Sequence, residues 1–132
     1  MKTHINFATT NLAKSVEFYS TLLGTKPMKV LADYALFVTE QPALELALDL
    51  RDSVSATIDA HYGIFVDTVA EVEGAIARLQ LAGLVSLIER EETCCYANQT
   101  KVWAIDPVGR RWEIYTVLDE TQNAARACCA NP

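Results

Sequence analysis

Hydrophobic residues recur along the chain with two periods, which predict its helices and strands. Two segments carry apolar residues three or four positions apart, the spacing of one helix face. The first has its apolar face at Leu12, Val16, Tyr19 and Leu23. Asn11 precedes it as a helix N-cap, and Gly24 follows it as a stop. The second has its face at Val69, Val72, Ile76 and Leu79. It begins at the capping box Thr68–Glu71 and ends at Gly83.

Apolar runs of strand length surround both predicted helices. One strand precedes each helix, at His4–Ala8 and at His61–Val66. Three strands follow each helix, at Pro27–Leu31, Tyr34–Thr39 and Leu44–Leu50 in the first half and at Val85–Glu91, Lys101–Ile105 and Arg111–Leu118 in the second. A turn at Asp106–Gly109 separates the last two strands. The order βαβββ therefore occurs twice, which predicts an α+β fold of two modules forming a half-open, pseudo-symmetric β-barrel with a central cleft.

Length and composition are those of a single domain. We expect one domain over residues 1–132, with module one at about 1–58, module two at about 59–118 and a C-terminal tail at 119–132. The hydrophobic content of 51% is enough for a core without disulfides. A net charge of -6 argues against a nucleic-acid or anionic-membrane partner. No signal peptide or membrane-spanning run is visible, so we expect a cytoplasmic protein.

The two histidines, His4 and His61, begin the first strands of the two modules, at equivalent places of the repeat. The last strand carries Glu113, which period-two alternation places on the face opposite Trp112 and Ile114. A carboxylate on an inner sheet face is costly unless a cation meets it. Two imidazoles and one carboxylate form the facial triad that suits ferrous iron. The alternative is that each histidine is an ordinary surface or hydrogen-bonded residue.

Glu45 raises the question of a fourth ligand. Leu44-Glu45-Leu46 mirrors Trp112-Glu113-Ile114, but Phe37 to Glu45 spans eight positions whereas Trp103 to Glu113 spans ten. Ala47 can therefore occupy the equivalent place, and strand parity does not decide between the two. We favour Glu45 as an exposed carboxylate at a sheet edge.

The four cysteines occur as two vicinal pairs, Cys94-Cys95 and Cys128-Cys129. A disulfide between sequence neighbours is strained, and cytosolic cysteines are usually thiols. Paired thiols are soft ligands that suit a thiophilic metalloid. The pair at Cys94-Cys95 has two other interpretations, as small buried hydrophobic residues or as a redox switch. We expect the segment Ala97–Thr100 beside this pair to be a loop, and Cys128-Cys129 lies in the predicted tail.

The double βαβββ pattern, with His4, His61 and Glu113 where they fall, resembles the vicinal oxygen chelate superfamily, which includes glyoxalases, extradiol dioxygenases and bleomycin-resistance proteins. Three further stretches, Thr93–Ala97, Lys101–Trp103 and Asp106–Leu118, resemble the organoarsenical carbon–arsenic lyases of that superfamily, and the opening from His4 to Gly24 is similar as well. The resemblance covers nearly the whole chain apart from the tail.

This resemblance implies an Fe(II)- and dioxygen-dependent enzyme that cleaves the carbon–arsenic bond of trivalent organoarsenicals, such as methylarsenite and reduced aromatic arsenicals, to inorganic arsenite. It implies His4, His61 and Glu113 as iron ligands, and Cys94 and Cys95 as the arsenic-binding thiols. The partners would be a small organoarsenical and dioxygen, and the chain a monomer or homodimer. Two alternatives remain open: a protein that sequesters cadmium or a metalloid, and a glyoxalase-like metal-dependent lyase or isomerase.

Overall fold

The computed structural model describes residues 1–55, 59–94 and 97–119, with side chains for 1–55, 59–90 and 99–117. It has two compact units. The first comprises Met1–His61 with Ile105–Arg111, and the second comprises Tyr62–Ala104 with the chain from Trp112 onward. Each unit contains one helix and one four-stranded sheet. The α+β class and the double βαβββ order are therefore confirmed.

The first sheet contains β1 (Thr3–Thr9), β2 (Lys29–Val30), β3 (Tyr34–Glu40) and β4 (Ala43–Leu50) in the order β1-β4-β3-β2. β1 and β4 run parallel, whereas β3 runs antiparallel to β2 and β4. The two faces of this sheet differ in chemistry. The apolar face includes Phe7, Leu46 and Leu48, all buried, whereas His4 and Asn6 are exposed on the polar face.

Helix α1 (Leu12–Leu23) packs against β3 and β4. The Asn11 side chain accepts a hydrogen bond from the Lys14 amide at its start, and Gly24 adopts a left-handed φ of 67° at its end, as the sequence predicts. Its buried residues are Leu12, Ser15, Phe18, Tyr19 and Leu22. Val16 and Leu23 of the predicted apolar face are only half-buried, because the centre of the helix face that contacts the sheet lies at Phe18 and Leu22.

The turn at Asp106–Gly109 belongs to the first unit, and a buried polar network stabilises it there. The Tyr19 hydroxyl donates to Asp106 Oδ2 over 2.6 Å, and Arg110 Nη1 donates to the same oxygen over 3.1 Å. Arg110 Nη2 also donates to the Ala8 carbonyl over 2.9 Å. The guanidinium lies 4.1 Å from the centroid of the Phe7 ring. The turn therefore contains a buried ion pair, and hydrogen bonds from Tyr19 and to the Ala8 carbonyl join it to α1 and β1.

The second sheet contains β5 (His61–Phe65), β6 (Val85–Cys94), β7 (Ala97–Ile105) and β8 (Arg111–Asp119) in the order β5-β8-β7-β6. Helix α2 (Val69–Leu81) packs against β6 and begins at the predicted capping box of Thr68 and Glu71. It buries Val72, Ala75, Ile76 and Leu79. Trp112 and Ile114 are buried on β8, and Trp112 stacks on Tyr62 with ring centroids 5.1 Å apart.

The antiparallel pair β6–β7 is longer than its apolar pattern predicts. Strand pairing continues through Glu92↔Gln99 and Thr93↔Asn98 to Cys94↔Ala97. The expectation of a loop at Ala97–Thr100 is therefore wrong, since these residues belong to β7. Cross-strand hydrogen bonds sustain a strand through polar residues that carry no hydrophobic signal. The predicted C-terminal tail lies outside the described residues, apart from Asp119, the last residue of β8.

Candidate metal and substrate site

His4 lies on β1 directly beside Glu45 of β4. The two residues are in register, and His4 Nδ1 lies 3.2 Å from Glu45 Oε1. Both side chains are about half exposed, at 55% and 45%. Further along the same face, the Asn6 side-chain amide donates a 2.8 Å hydrogen bond to the Asp49 carboxylate. The first sheet therefore presents a polar face on which an imidazole is held through one ring nitrogen.

Glu45 does not lie at the sheet edge, because β4 runs between β1 and β3. Each module's own register also shows which residue corresponds to Glu113. In the first module His4 pairs with Glu45, and Asn6, two residues further on, pairs with Ala47. In the second module the residue two positions after the histidine is Gly63, and a Cβ placed there would lie 3.4 Å from Glu113 Cγ. Ala47, rather than Glu45, is therefore the equivalent of Glu113.

Glu113 is buried on β8, with only 8% of its surface exposed. Gly63 lies against this side chain, because a Cβ there would be in ordinary contact with Oε1 at 3.4 Å and in a tight contact with the Tyr115 ring at 3.2 Å. Lys101 Nζ lies 3.4 Å from the other oxygen, Oε2. The predicted alternation on β8 is confirmed. Glu113 and Tyr115 both lie against Gly63, whereas Trp112 and Ile114 are buried on the other face.

Lys101 is the residue that sequence reasoning missed at this position. It lies on β7, and its Nζ is 5.7 Å from the centroid of Trp103 and 5.8 Å from that of Tyr115. A lysine inside a strand is usually interpreted as a solvent-exposed residue. The available signal was its alternation with buried Val102 and Ala104, which assigns Lys101 and Trp103 to the face opposite that core.

His61 is exposed at the first position of β5, the strand next to β8. Alternation along β5 places it on the same face as Gly63 and Phe65. Phe65 contacts Tyr115 edge to face, with ring centroids 5.7 Å apart. His61 and Glu113 therefore belong to the same face of the second sheet.

The side chains of the cysteines that the sequence predicts to bind arsenic lie outside the described residues. Cys94 is the last residue of β6 and pairs with Ala97 through the backbone, but its side chain lies outside the described residues. Cys95, Cys128 and Cys129 also lie outside them. Within either unit taken by itself, the described side chains of His, Cys, Asp and Glu form no cluster of three that would bind a metal.

A separate ion pair on the second unit perturbs a carboxyl group away from this face. Arg90 on β6 makes two 2.9 Å hydrogen bonds to Glu73 of α2. These hydrogen bonds lower the pKa of Glu73 below its usual 4.5 and raise that of Arg90. Both side chains are substantially exposed, and the ion-pair partner of Arg90 lies on α2. Arg90 therefore serves below as a positive charge of the second sheet that does not contact Glu113.

Two modules, each with one helix and a four-stranded sheet in the order βαβββ, define the fold class. Residues 3–114 match the model of the glyoxalase/bleomycin resistance protein/dioxygenase superfamily, and the chain belongs to that superfamily. A crystal structure of a glyoxalase/bleomycin resistance protein/dioxygenase from Alicyclobacillus acidocaldarius is similar, with a TM-score of 0.70, 19% identity and coverage of 90% of this chain and 92% of that one.

Two curated relatives share a larger fraction of identical residues with this chain than that crystal structure does. A trivalent organoarsenical cleaving enzyme from Bacillus sp. (strain MD1) is 42% identical over 97% of this chain and 82% of its own length. The cadmium-induced protein CadI of Mycobacterium tuberculosis (strain ATCC 25618 / H37Rv) is 40% identical over 85% of this chain and 73% of its own length. Within the described part of the chain, neither helix has the length and apolar character needed to cross a membrane.

Proposed function

We propose that the protein cleaves the carbon–arsenic bond of trivalent organoarsenicals, using Fe(II) and dioxygen, and releases inorganic arsenite. For methylarsenite the reaction balances as CH3As(OH)2 + O2 → As(OH)3 + CH2O, so that arsenic stays trivalent, the methyl carbon is oxidised to formaldehyde and dioxygen takes up the four electrons. The observation that carries the proposal is the vicinal pair Cys94-Cys95 in a chain that is 42% identical, over 97% of its length, to an enzyme named for this cleavage. Methylarsenite and reduced aromatic arsenicals are the substrates to test.

The cysteine pair binds the metalloid. Trivalent arsenic with one organic substituent carries two exchangeable oxygen ligands, and two thiols replace both. Each new sulfur–arsenic bond moves a thiol proton onto the departing oxygen, so that two waters leave and the carbon–arsenic bond remains. The second bond forms at high effective concentration, because the first sulfur already holds the substrate. The thiols thereby leave the organic substituent as the exposed ligand.

His4, His61 and Glu113 bind the metal. The donor set fits a divalent cation, because Glu113 is a buried carboxylate and Lys101 contacts its Oε2 rather than its Oε1. His4 fits as well, since Glu45 contacts its Nδ1 and leaves Nε2 to act as the ligand. Ferrous iron bound by such a triad supplies dioxygen activation.

Three ligands rather than four are favoured by the register. Glyoxalase-like chemistry with four protein ligands needs a second acid equivalent to Glu113, and that position is Ala47. The sequestering alternative is favoured by one observation, the 40% identity to the cadmium-induced protein CadI. Such a protein would bind the metalloid or cadmium without releasing a product.

The decisive experiment loads the protein with Fe(II) anaerobically, adds methylarsenite and then oxygen, and measures arsenite and oxygen consumption. We expect release of arsenite with the wild type and none with Zn(II), which has no redox chemistry. Cys94→Ser and Cys95→Ser should bind Fe(II) but not methylarsenite. His61→Ala should bind methylarsenite but not Fe(II). The double variant Cys128→Ser/Cys129→Ser is the matched control for the loss of a vicinal pair.

Three results separate the possibilities. Arsenite release that is normal in both Cys94→Ser and Cys95→Ser contradicts the substrate assignment. Release without oxygen consumption contradicts the role of dioxygen and favours glyoxalase-like chemistry. Tight binding of methylarsenite or cadmium by the iron-loaded protein, with no product under oxygen, assigns it to sequestration.

A further inference from the structure

The carboxylate of Glu113 already has a cationic partner from its own sheet. Lys101 Nζ lies 3.4 Å from Oε2, and the two side chains are only 16% and 10% exposed. Removing a carboxylate from water is costly unless a cation compensates its charge. Lys101 supplies that charge from β7, the strand adjacent to β8.

The ammonium group is also held by two aromatic rings. Its distances of 5.7 Å to the Trp103 centroid and 5.8 Å to the Tyr115 centroid lie within the range of cation–π attraction. The ammonium group of Lys101 is therefore surrounded by a carboxylate and two aromatic rings, whereas the ammonium group of an exposed lysine would contact water. On β6, Glu89 lies in register with Lys101 and adds a second acidic residue beside it.

A divalent metal bound to Glu113 has to share this carboxylate with the ammonium group. Because like charges repel and this environment is poorly solvated, the two cations oppose each other more strongly here than at an exposed surface. The lysine therefore acts in opposite directions in the two states. It stabilises the metal-free protein and weakens metal binding.

We propose that Lys101 is a built-in counterion for Glu113 that lowers the affinity of the site for divalent metals and keeps the metal exchangeable. This inference rests on the proposed role of Glu113 as a metal ligand. It assigns Lys101 as a positioning residue, which acts through Glu113 and contacts neither substrate nor dioxygen.

The test measures metal affinity and metal-free stability rather than turnover. Lys101→Met keeps most of the length and the apolar stem but removes the charge, and Lys101→Arg keeps the charge. Lys101→Gln is a second uncharged variant, which still donates a hydrogen bond if the methionine variant folds poorly. Arg90→Met is the matched control, because it removes one positive charge from the same sheet. The ion-pair partner of Arg90 is Glu73 on α2 rather than Glu113.

Dissociation constants for Zn(II) and Co(II) come from competition with a chelator of known affinity, and melting temperatures from the metal-free proteins. Lys101→Met or Lys101→Gln should bind both metals at least tenfold more tightly than the wild type, and Lys101→Met should melt at a lower temperature without metal. Lys101→Arg and Arg90→Met should remain within threefold of wild-type affinity. Unchanged or weaker binding by both uncharged variants overturns the inference.

Two ligand variants separate failure of this inference from failure of the proposed function. If His61→Ala and Glu113→Ala bind Zn(II) as tightly as the wild type, the proposed metal site is wrong and the role of Lys101 falls with it. If both lose Zn(II) while Lys101→Met and Lys101→Gln bind it unchanged, only the inference about Lys101 is overturned.

Discussion

Replacing Tyr19 with phenylalanine tests whether the buried network around Asp106 stabilises the first unit. Tyr19 is 0% exposed, and its hydroxyl makes a 2.6 Å hydrogen bond to Asp106 Oδ2. The substitution removes one oxygen and keeps the ring, which contacts Phe18 edge to face at 4.9 Å. The change in stability therefore reports the hydrogen bond rather than the packing.

The magnitude follows from the partners that remain. A hydrogen bond to a charged group contributes about 1.5–3 kcal/mol. Oδ2 keeps Arg110 Nη1 at 3.1 Å, while Oδ1 accepts from the backbone amides of Val108 and Arg110 at 2.9 Å. Since the carboxylate stays paired, we expect a loss of about 2 kcal/mol. Arg110→Met removes the compensating charge itself and should cost about 3–5 kcal/mol.

Urea unfolding followed by far-ultraviolet circular dichroism measures both losses. With a slope of about 1.5–2 kcal/mol per M, Tyr19→Phe should lower the midpoint by about 1 M at unchanged slope. Tyr34→Phe is the matched control, because Tyr34 is half-buried on β3 and no hydrogen bond to its hydroxyl occurs within the described part of the chain. A midpoint for Tyr19→Phe equal to that of Tyr34→Phe would refute the reasoning.

Two further predictions concern single polar pairs. Glu45→Ala should weaken Zn(II) binding about tenfold, whereas Glu45→Gln should not, because its amide oxygen still accepts from His4 Nδ1–H; equal losses in chelator competition would instead make Glu45 a ligand. Arg90→Met should raise the pKa of Glu73 toward 4.5 in an NMR titration, since Arg90 now lowers it. Because the pKa of Glu73 is lower in the folded state, this pair stabilises the fold above the ordinary carboxyl pKa, and the stabilisation is lost as the pH falls through the folded-state pKa. An unchanged Glu73 titration in Arg90→Met would contradict the assignment.

Local signals account for the elements that could be predicted well. Helix α1 begins and ends where Asn11 and Gly24 indicate, because both caps act within one turn of the chain. The ends of β6 and β7 could not be predicted in the same way. Their last pairs, from Glu92↔Gln99 to Cys94↔Ala97, depend on backbone pairing between the strands, which has no counterpart in the hydrophobic pattern.

The candidate site shows the same division. Glu113 could be identified from the alternation of Trp112, Ile114 and Tyr115, which requires only the period of a strand. Lys101 could not be identified as its partner, because that pairing depends on the geometry of two neighbouring strands. The choice between Glu45 and Ala47 was equally open, since residues two positions apart share a face and only the observed register separates them.

That register has a chemical consequence under the proposed ligand set. A displacement of two residues along a strand preserves every inward and outward face, so the core of each module tolerates it. It nevertheless moves a carboxylate by about 6.6 Å along the strand axis. In the first module the acid thus lies beside His4 Nδ1, and in the second it lies two residues beyond the histidine, beside Gly63. Under the proposed ligand set, the duplicated fold would therefore supply two imidazoles but a single carboxylate, a donor set that leaves coordination positions open for small ligands.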